Sequence, residues 1–300
     1  MVEILIRAGC FVAIIVLGYI LRRVKFFKEE DFKVLSKILL RITLPAAIVT
    51  SFIGKEIQFS MLTLALIGLF GGSIHMLIGY LANIRAGKEK QTLEIVNAGY
   101  NIGAFTMPFA QGFLGPIGVI TTSLFDVGNA TVCLGGSLGI AKILKNGEKF
   151  SIMRILKTML KSVAFDAYLI MTIVSLCHIP IPKPIASFAE IVGGANAFVA
   201  MLMIGVGLKF SGDKNQIGRV IRILLARYSV AIAIALGCFY LLPFSLEIRQ
   251  TLVIVAFSPI PSSAPAYAEE LKNDVGMASL LNSLSIICSL IAIVSILLAM

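Results

Sequence analysis

Apolar residues run through this chain in long blocks separated by short charged or turn-forming stretches. The blocks fall at roughly 4–21, 32–52, 61–84, 92–113, 117–142, 158–177, 185–207, 219–242, 251–270 and 276–299. Each is close to the roughly 20 residues that a helix needs to cross a bilayer, and none alternates with the period of two that a half-buried strand shows. The pattern predicts an all-α integral membrane protein of ten transmembrane helices. A second regularity lies over the first: shifting the first five blocks by 157 positions nearly superimposes them on the last five. The chain therefore reads as one membrane domain, residues 1–300, made of two five-helix repeats at 1–147 and 152–300. Five crossings is an odd number, so the second repeat is expected to lie inverted in the membrane, an architecture characteristic of secondary transporters.

Charge fixes an orientation. Nineteen of the 26 lysines and arginines, Lys214 among them, fall in the odd-numbered loops. Only Arg7, Lys55, Lys183 and Arg249 fall on the other side. Positively charged loops stay in the cytoplasm, which predicts a multi-pass protein of the cytoplasmic membrane with both termini outside. The net charge of +10 is thus a topology signal and gives no support to a nucleic-acid partner. Composition agrees: 58% of residues are hydrophobic and 14% charged, against about 25% charged in soluble domains. Cys10, Cys133, Cys177, Cys238 and Cys288 are scattered without metal-ligand or CxxC spacing, so neither a disulfide framework nor a zinc site is expected. The first block lacks a basic leader and a small-residue cleavage site, and reads as a retained helix.

Two blocks carry residues that a continuous helix cannot hold. The fourth has Asn101, Gly103, Thr106 and Pro108, and the ninth has Ser258, Pro259, Pro261, Ser262, Ser263 and Pro265. Proline removes a hydrogen-bond donor and clashes with the preceding turn, so both segments are expected to unwind in mid-membrane. The 157-residue shift carries Asn101 onto Ser258 and Pro108 onto Pro265. Unwound backbone at that depth requires a protein or water-lined cavity. Pro108 and Pro265 would begin outgoing half-helices capped by Thr106 and the Ser262–Ser263 pair, and their positive ends suit a carboxylate. The substrate-binding candidates are therefore Asn101, Gly103, Thr106, Pro108, Ser258, Pro259, Ser262, Ser263 and Pro265, with Arg41, about nine residues into the second block, as a further cationic candidate.

Asp126 lies near mid-membrane with Asn129 on the same helical face. Proton carrier, cation ligand and partner of Arg41 are all open roles for Asp126. The second repeat offers Asn282 and Ser283 at the matching place, so these four are the ion-coupling candidates, with H+ or Na+ as the coupling ion. Arg227 and Asp166 read as structural, either as an interhelical pair or as separate cavity groups. His75 reads as a packing histidine, and Gly71–Gly72 and Gly135–Gly136 as close-packing patches. No cofactor or metal is called for. An intramembrane enzyme built on Asp126 and Asp166 would need a signature such as GxGD or HExxH, and neither is present.

Four stretches together resemble the auxin efflux carrier family, whose bacterial members are often described as malate or dicarboxylate permeases. They are RITLP with Arg41 and Pro45, NIGAFTMPF with Asn101 and Pro108, LFDVGNA with Asp126 and Asn129, and SPIPSSAPAYAEEL with Pro259 and Pro265. The resemblance spans nearly the whole chain. It implies that broken helices 4 and 9 cross, that helices 1, 2, 6 and 7 form a scaffold beside a mobile unit, and that a small organic anion moves by an elevator-like motion. Homodimers through the scaffold are also implied. Where the plant carriers have a long hydrophilic central loop, this chain has only KNGEKFS at 145–151, so regulation through that loop is not expected, and auxin is not assumed as substrate. The expected function is transport of malate, another dicarboxylate or a related carboxylate. The alternatives are a bile-acid-type sodium symporter and a passive channel.

Overall fold

A computed structural model describes residues 2–55, 57–149, 151–210 and 216–300; Lys214 and Phe150 lie outside them. All regular structure among the described residues is helical. Among the described residues, six helical runs are long and apolar enough to cross a membrane. A seventh is the pair Ile152–Met159 (α9) and Val163–Leu176 (α10), bent by 81°. One of the six, Ile102–Asn146, takes in the end of the fourth block and the whole of the fifth, while the second block contains a π turn and the ninth is broken. Large apolar side chains such as Phe70, Ile191, Leu225 and Ile291 face outward, as they do on a chain surrounded by lipid.

Glycines set the closest helix approaches. Val2–Arg23 (α1) lies against Asn196–Gly207 (α12), where a Cβ on Gly205 would stand 2.0 Å from the carbonyl oxygen of Ile15. Thr63–Ala82 (α4) lies equally close to Gly115–Thr131 (α7), where a Cβ on Gly128 would stand 1.7 Å from the carbonyl oxygen of Ala65. In hydrocarbon, where apolar burial gives helices no preference for one another, such backbone-to-backbone packing supplies the association. Of the patches expected to pack, Gly71 and Gly72 do so against Tyr100 and Val132. Gly135 instead sits at a kink before Ser137–Asn146 (α8), with φ +143°.

Both predicted breaks are present. Lys88–Val96 (α5) stops before an unwound stretch at 97–101, in which Gly99 has φ +88°. Leu246–Ala256 (α14) stops before an irregular stretch at 257–263, and Ala264–Glu270 (α15) follows with Pro265 in its first turn. The first break lies earlier than Pro108 alone would place it. Helix resumes at Ile102 as a π turn, runs through Met107–Phe109 (α6) with Pro108 in its first turn, and passes into a second π turn at Ala110–Leu114. Wider π turns accommodate a residue with no N–H, so the proline is absorbed and the unwinding moves to Asn97–Asn101. A π turn at Leu39–Thr43 likewise interrupts the second block between Asp31–Ile38 (α2) and Leu44–Phe52 (α3). The remaining long elements are Lys183–Gly194 (α11), Ile217–Leu241 (α13) and Val275–Ala299 (α16).

Candidate functional site

The two unwound stretches touch. The backbone N–H of Asn101 donates to the carbonyl of Pro259 at 3.0 Å. Beside that bond the hydroxyls of Thr106 and Ser258 lie 2.5 Å apart, and Ser258 donates on to the carbonyl of Val255 at 2.6 Å. Each stretch also has an asparagine from a neighbouring helix that replaces the lost helical hydrogen bonds. Asn129 on α7 accepts from the N–H of Tyr100 at 3.0 Å and donates to the carbonyl of the same residue at 2.9 Å. On α16 two residues share this work: Asn282 donates to the carbonyl of Ile260 and Ser285 accepts from its N–H.

Arg227 of α13 ties the crossing together. Its guanidinium donates to the carbonyls of Asn97 and Gly99 from one stretch and of Ser258 and Pro259 from the other, at 2.7 to 3.2 Å. These carbonyls continue the C-terminal ends of α5 and α14, each of which carries roughly half a negative charge. One guanidinium thus offsets two helix ends in a buried place. The helix that begins at Ile102 starts at the crossing, so its positive end lies there, while α15 is short and adds a weaker dipole.

On one side of the crossing lies a cavity of about 260 Å³. Asn101, Ser262, Pro265 and Asn282 line it, together with Ser279 and, towards its mouth, Arg22, Lys33, Lys209, Glu29 and Glu269. The side-chain amide of Asn101 has no hydrogen-bond partner among the described residues, although the residue is only 6% exposed. The volume is slightly below the roughly 300–1,000 Å³ of drug-sized pockets and suits a small solute. Arg22 is already engaged as a cap, donating to the carbonyls of Val206 and Leu208 at the end of α12.

The other predicted residues separate from this cavity. Thr106, Ser258 and Pro259 form the crossing joint itself. Gly103 packs against Leu44, and Pro108 is buried in α6. Neither Thr106 nor Ser263 caps the following helix through its side chain; the Thr106 hydroxyl is taken by Ser258. Arg41 lies on an exposed face of its π turn and does not line the cavity. Asp126 does not pair with Arg41: it accepts from Asn129 at 2.8 Å and from the Tyr168 hydroxyl at 3.0 Å. Ser283 accepts from the backbone N–H of Lys209 at 2.9 Å. Arg227 and Asp166 form no ion pair, because all the donors of Arg227 that bond are directed to carbonyls.

Glu29 pairs with Lys209 across the cavity mouth. The hydrogen bond and charge of Lys209 hold the Glu29 carboxyl below its ordinary value. The pair is therefore complete at neutral pH, survives as pH falls through the ordinary carboxylate range, and is lost only below it. Glu29→Gln is expected to leave thermal stability unchanged, since exposed pairs contribute little. The same change should speed labelling by a water-soluble thiol reagent of a cysteine placed at Ser279 on the cavity wall. An unaltered labelling rate would show that the pair does not gate the mouth.

No family model matches the chain. It is similar to a protein of Methanothermobacter thermautotrophicus named as an uncharacterized transporter, with 25% identity over 287 residues that cover 93% of each chain.

Proposed function

We propose that this protein is a secondary transporter that moves small carboxylate-bearing anions, such as malate or another dicarboxylate, across the cytoplasmic membrane. The observation that carries the reading is the crossing: two unwound segments joined by Arg227, with the unpartnered Asn101 amide lining a cavity beside a positive helix end. A relative named as a transporter and aligned over nearly the whole length supports the general class. The finer reading is ten crossings in two inverted repeats that alternate access by an elevator-like motion, as in the auxin efflux carrier family. The order of elements supports it, since α4, α5 and the first break recur in α13, α14 and the second break at nearly the 157-residue spacing. In the orientation favoured by loop charge, the cavity mouth with Lys33 and Lys209 opens to the cytoplasm, which makes this an inward-facing state. A homodimer through the scaffold helices belongs to the same proposal.

Reconstitution into proteoliposomes tests the proposal. Uptake of radiolabelled malate, malonate, succinate and indole-3-acetate, with proton and sodium gradients imposed separately, is expected to be saturable for the dicarboxylates and driven by one of the two gradients. Flux that rises linearly with concentration would replace the carrier with a channel. Absence of uptake for every anion under every gradient would overturn the assignment of substrate class.

A further inference from the structure

A second polar crevice, of about 140 Å³, lies between α4, α5 and α13 and shares no lining residue with the first cavity. Its exposed mouth is at Ala86, Lys90 and Arg222, and its inner end reaches Asn97, Arg227 and Ile260 at the crossing. Five buried polar atoms on its walls have no hydrogen-bond partner among the described residues: Nε2 of His75, Oε1 of Glu94, both side-chain amide atoms of Asn97, and one terminal nitrogen of Arg219. His75, Glu94 and Asn97 are 8%, 9% and 3% exposed. Burial of unpartnered groups costs about 1–3 kcal/mol each, so small side-chain rotations that turn these groups to the crevice and its contents are favoured.

The wall chemistry selects the occupant. A bare cation is opposed by Lys90, Arg219 and Arg222, and the Glu94 carboxylate already faces the arginines that an anion would need. Water supplies donors and acceptors together, and the volume has room for about four molecules at roughly 30 Å³ each. The charged and titratable groups facing Glu94 are Lys90 on its own helix, Arg219 and Arg222 on α13, and His75 on α4. Two further elements pack on α5, namely α8 and α15, and their Lys142 and Glu270 pair with each other outside the crevice. Arg227 at the inner end is engaged by four carbonyls. This leaves Glu94 and His75 as the groups that exchange protons with crevice water.

We propose that this crevice is a hydrated proton-binding site, in which Glu94, assisted by His75, takes a proton from the basic-loop side and transmits the change to the crossing through Asn97 and Arg227. In the step itself, hydronium outside the mouth gives a proton to the first water of the crevice chain, and the last water of that chain gives one of its own protons to a Glu94 oxygen. An O–H bond forms on the carboxyl as one breaks on the last water, which is restored by the proton passed along the chain, and the external hydronium is left as water. The change reaches the crossing because the Asn97 side chain lines the crevice while its backbone carbonyl is held by Arg227. The coupling role rests on the carrier reading above; the proton site does not.

Infrared difference spectra between acidic and neutral buffers, recorded on the purified full-length protein without any substrate, test the site. The wild type is expected to gain the carbonyl band of a protonated carboxylic acid that is lost in Glu94→Gln and returns, displaced, in Glu94→Asp. Spectra of Glu94→Gln identical to wild type would overturn the site, and Glu94→Asp keeps the test available if the glutamine variant does not fold. In proteoliposomes, Glu94→Gln is expected to lose succinate accumulation driven by a proton gradient while retaining exchange of internal for external succinate. Accumulation at the wild-type level would overturn the coupling role. If the wild type moves no anion, the carrier reading and the coupling role fall together, and the infrared band alone decides the proton site.

Discussion

Arg227→Leu is expected to abolish folding of the protein into a monodisperse species, the most severe effect of any single substitution at the crossing. The guanidinium makes four hydrogen bonds to carbonyls that no helix satisfies. A hydrogen bond to a charged group contributes about 1.5–3 kcal/mol, and a buried acceptor left unpaired costs a comparable amount. The Pro259 carbonyl keeps the Asn101 N–H, but the three carbonyls that lose their partner together cost a large part of the whole stability of a typical domain, about 5–15 kcal/mol, and leucine offers nothing in return. The two negative helix ends would also face one another without a counter-charge. Arg227→Lys separates the two effects: lysine keeps the charge but concentrates it on one compact ammonium that cannot span the carbonyls as a planar fork does. Size-exclusion profiles and thermal unfolding in detergent should show aggregate for leucine and a folded protein of lowered Tm for lysine. A leucine variant with wild-type Tm would mean that the carbonyls find other partners.

The sequence-level signals and the observed site diverge where a role depends on distant backbone. The breaks were legible because Pro108, Pro259, Pro261 and Pro265 violate helical hydrogen bonding locally. Their boundaries were less so, since π turns at Ile102–Thr106 and Ala110–Leu114 absorb Pro108 and move the unwinding to Asn97–Asn101. Arg41 and Arg227 look alike in the sequence, each a lone arginine within an apolar block. Only the fold shows that the first faces outward while the second meets four carbonyls, two of them about 130 positions away in the chain. The available signal was indirect: two broken helices must expose carbonyls at mid-membrane, and a buried arginine without an acidic partner is suited to take them. Gly128 and Gly205 passed unnoticed because each meets backbone of another helix as a single glycine, with no GxxxG pattern to mark it. Asn129 was legible as a polar partner of Asp126, yet its larger task, pairing with both backbone groups of Tyr100, is a property of the break and cannot be read from spacing. The unpartnered atoms around Glu94 arise in the same way, from three helices that the sequence does not show to be adjacent.

Asn101→Ala is expected to impair transport while leaving the fold intact, in contrast to Arg227→Leu. The contact of Asn101 with the other broken helix is made by its backbone N–H, donating to Pro259, and alanine retains that bond. What the substitution removes is the side-chain amide, which makes no hydrogen bond within the described residues and lines the cavity. Stability therefore loses little. If this amide binds a carboxylate, the loss is one hydrogen bond to a charged group, about 1.5–3 kcal/mol, which corresponds to roughly 10- to 100-fold weaker apparent affinity. Ser258→Ala provides the counterpart, because its hydroxyl is committed to Thr106 and Val255, and its effect should fall on thermal stability first. Concentration dependence of malate uptake in proteoliposomes, together with Tm for both variants, distinguishes the two cases. Wild-type uptake by Asn101→Ala at every malate concentration would remove the cavity beside the crossing from the substrate path and leave the unpartnered amide without the role assigned to it.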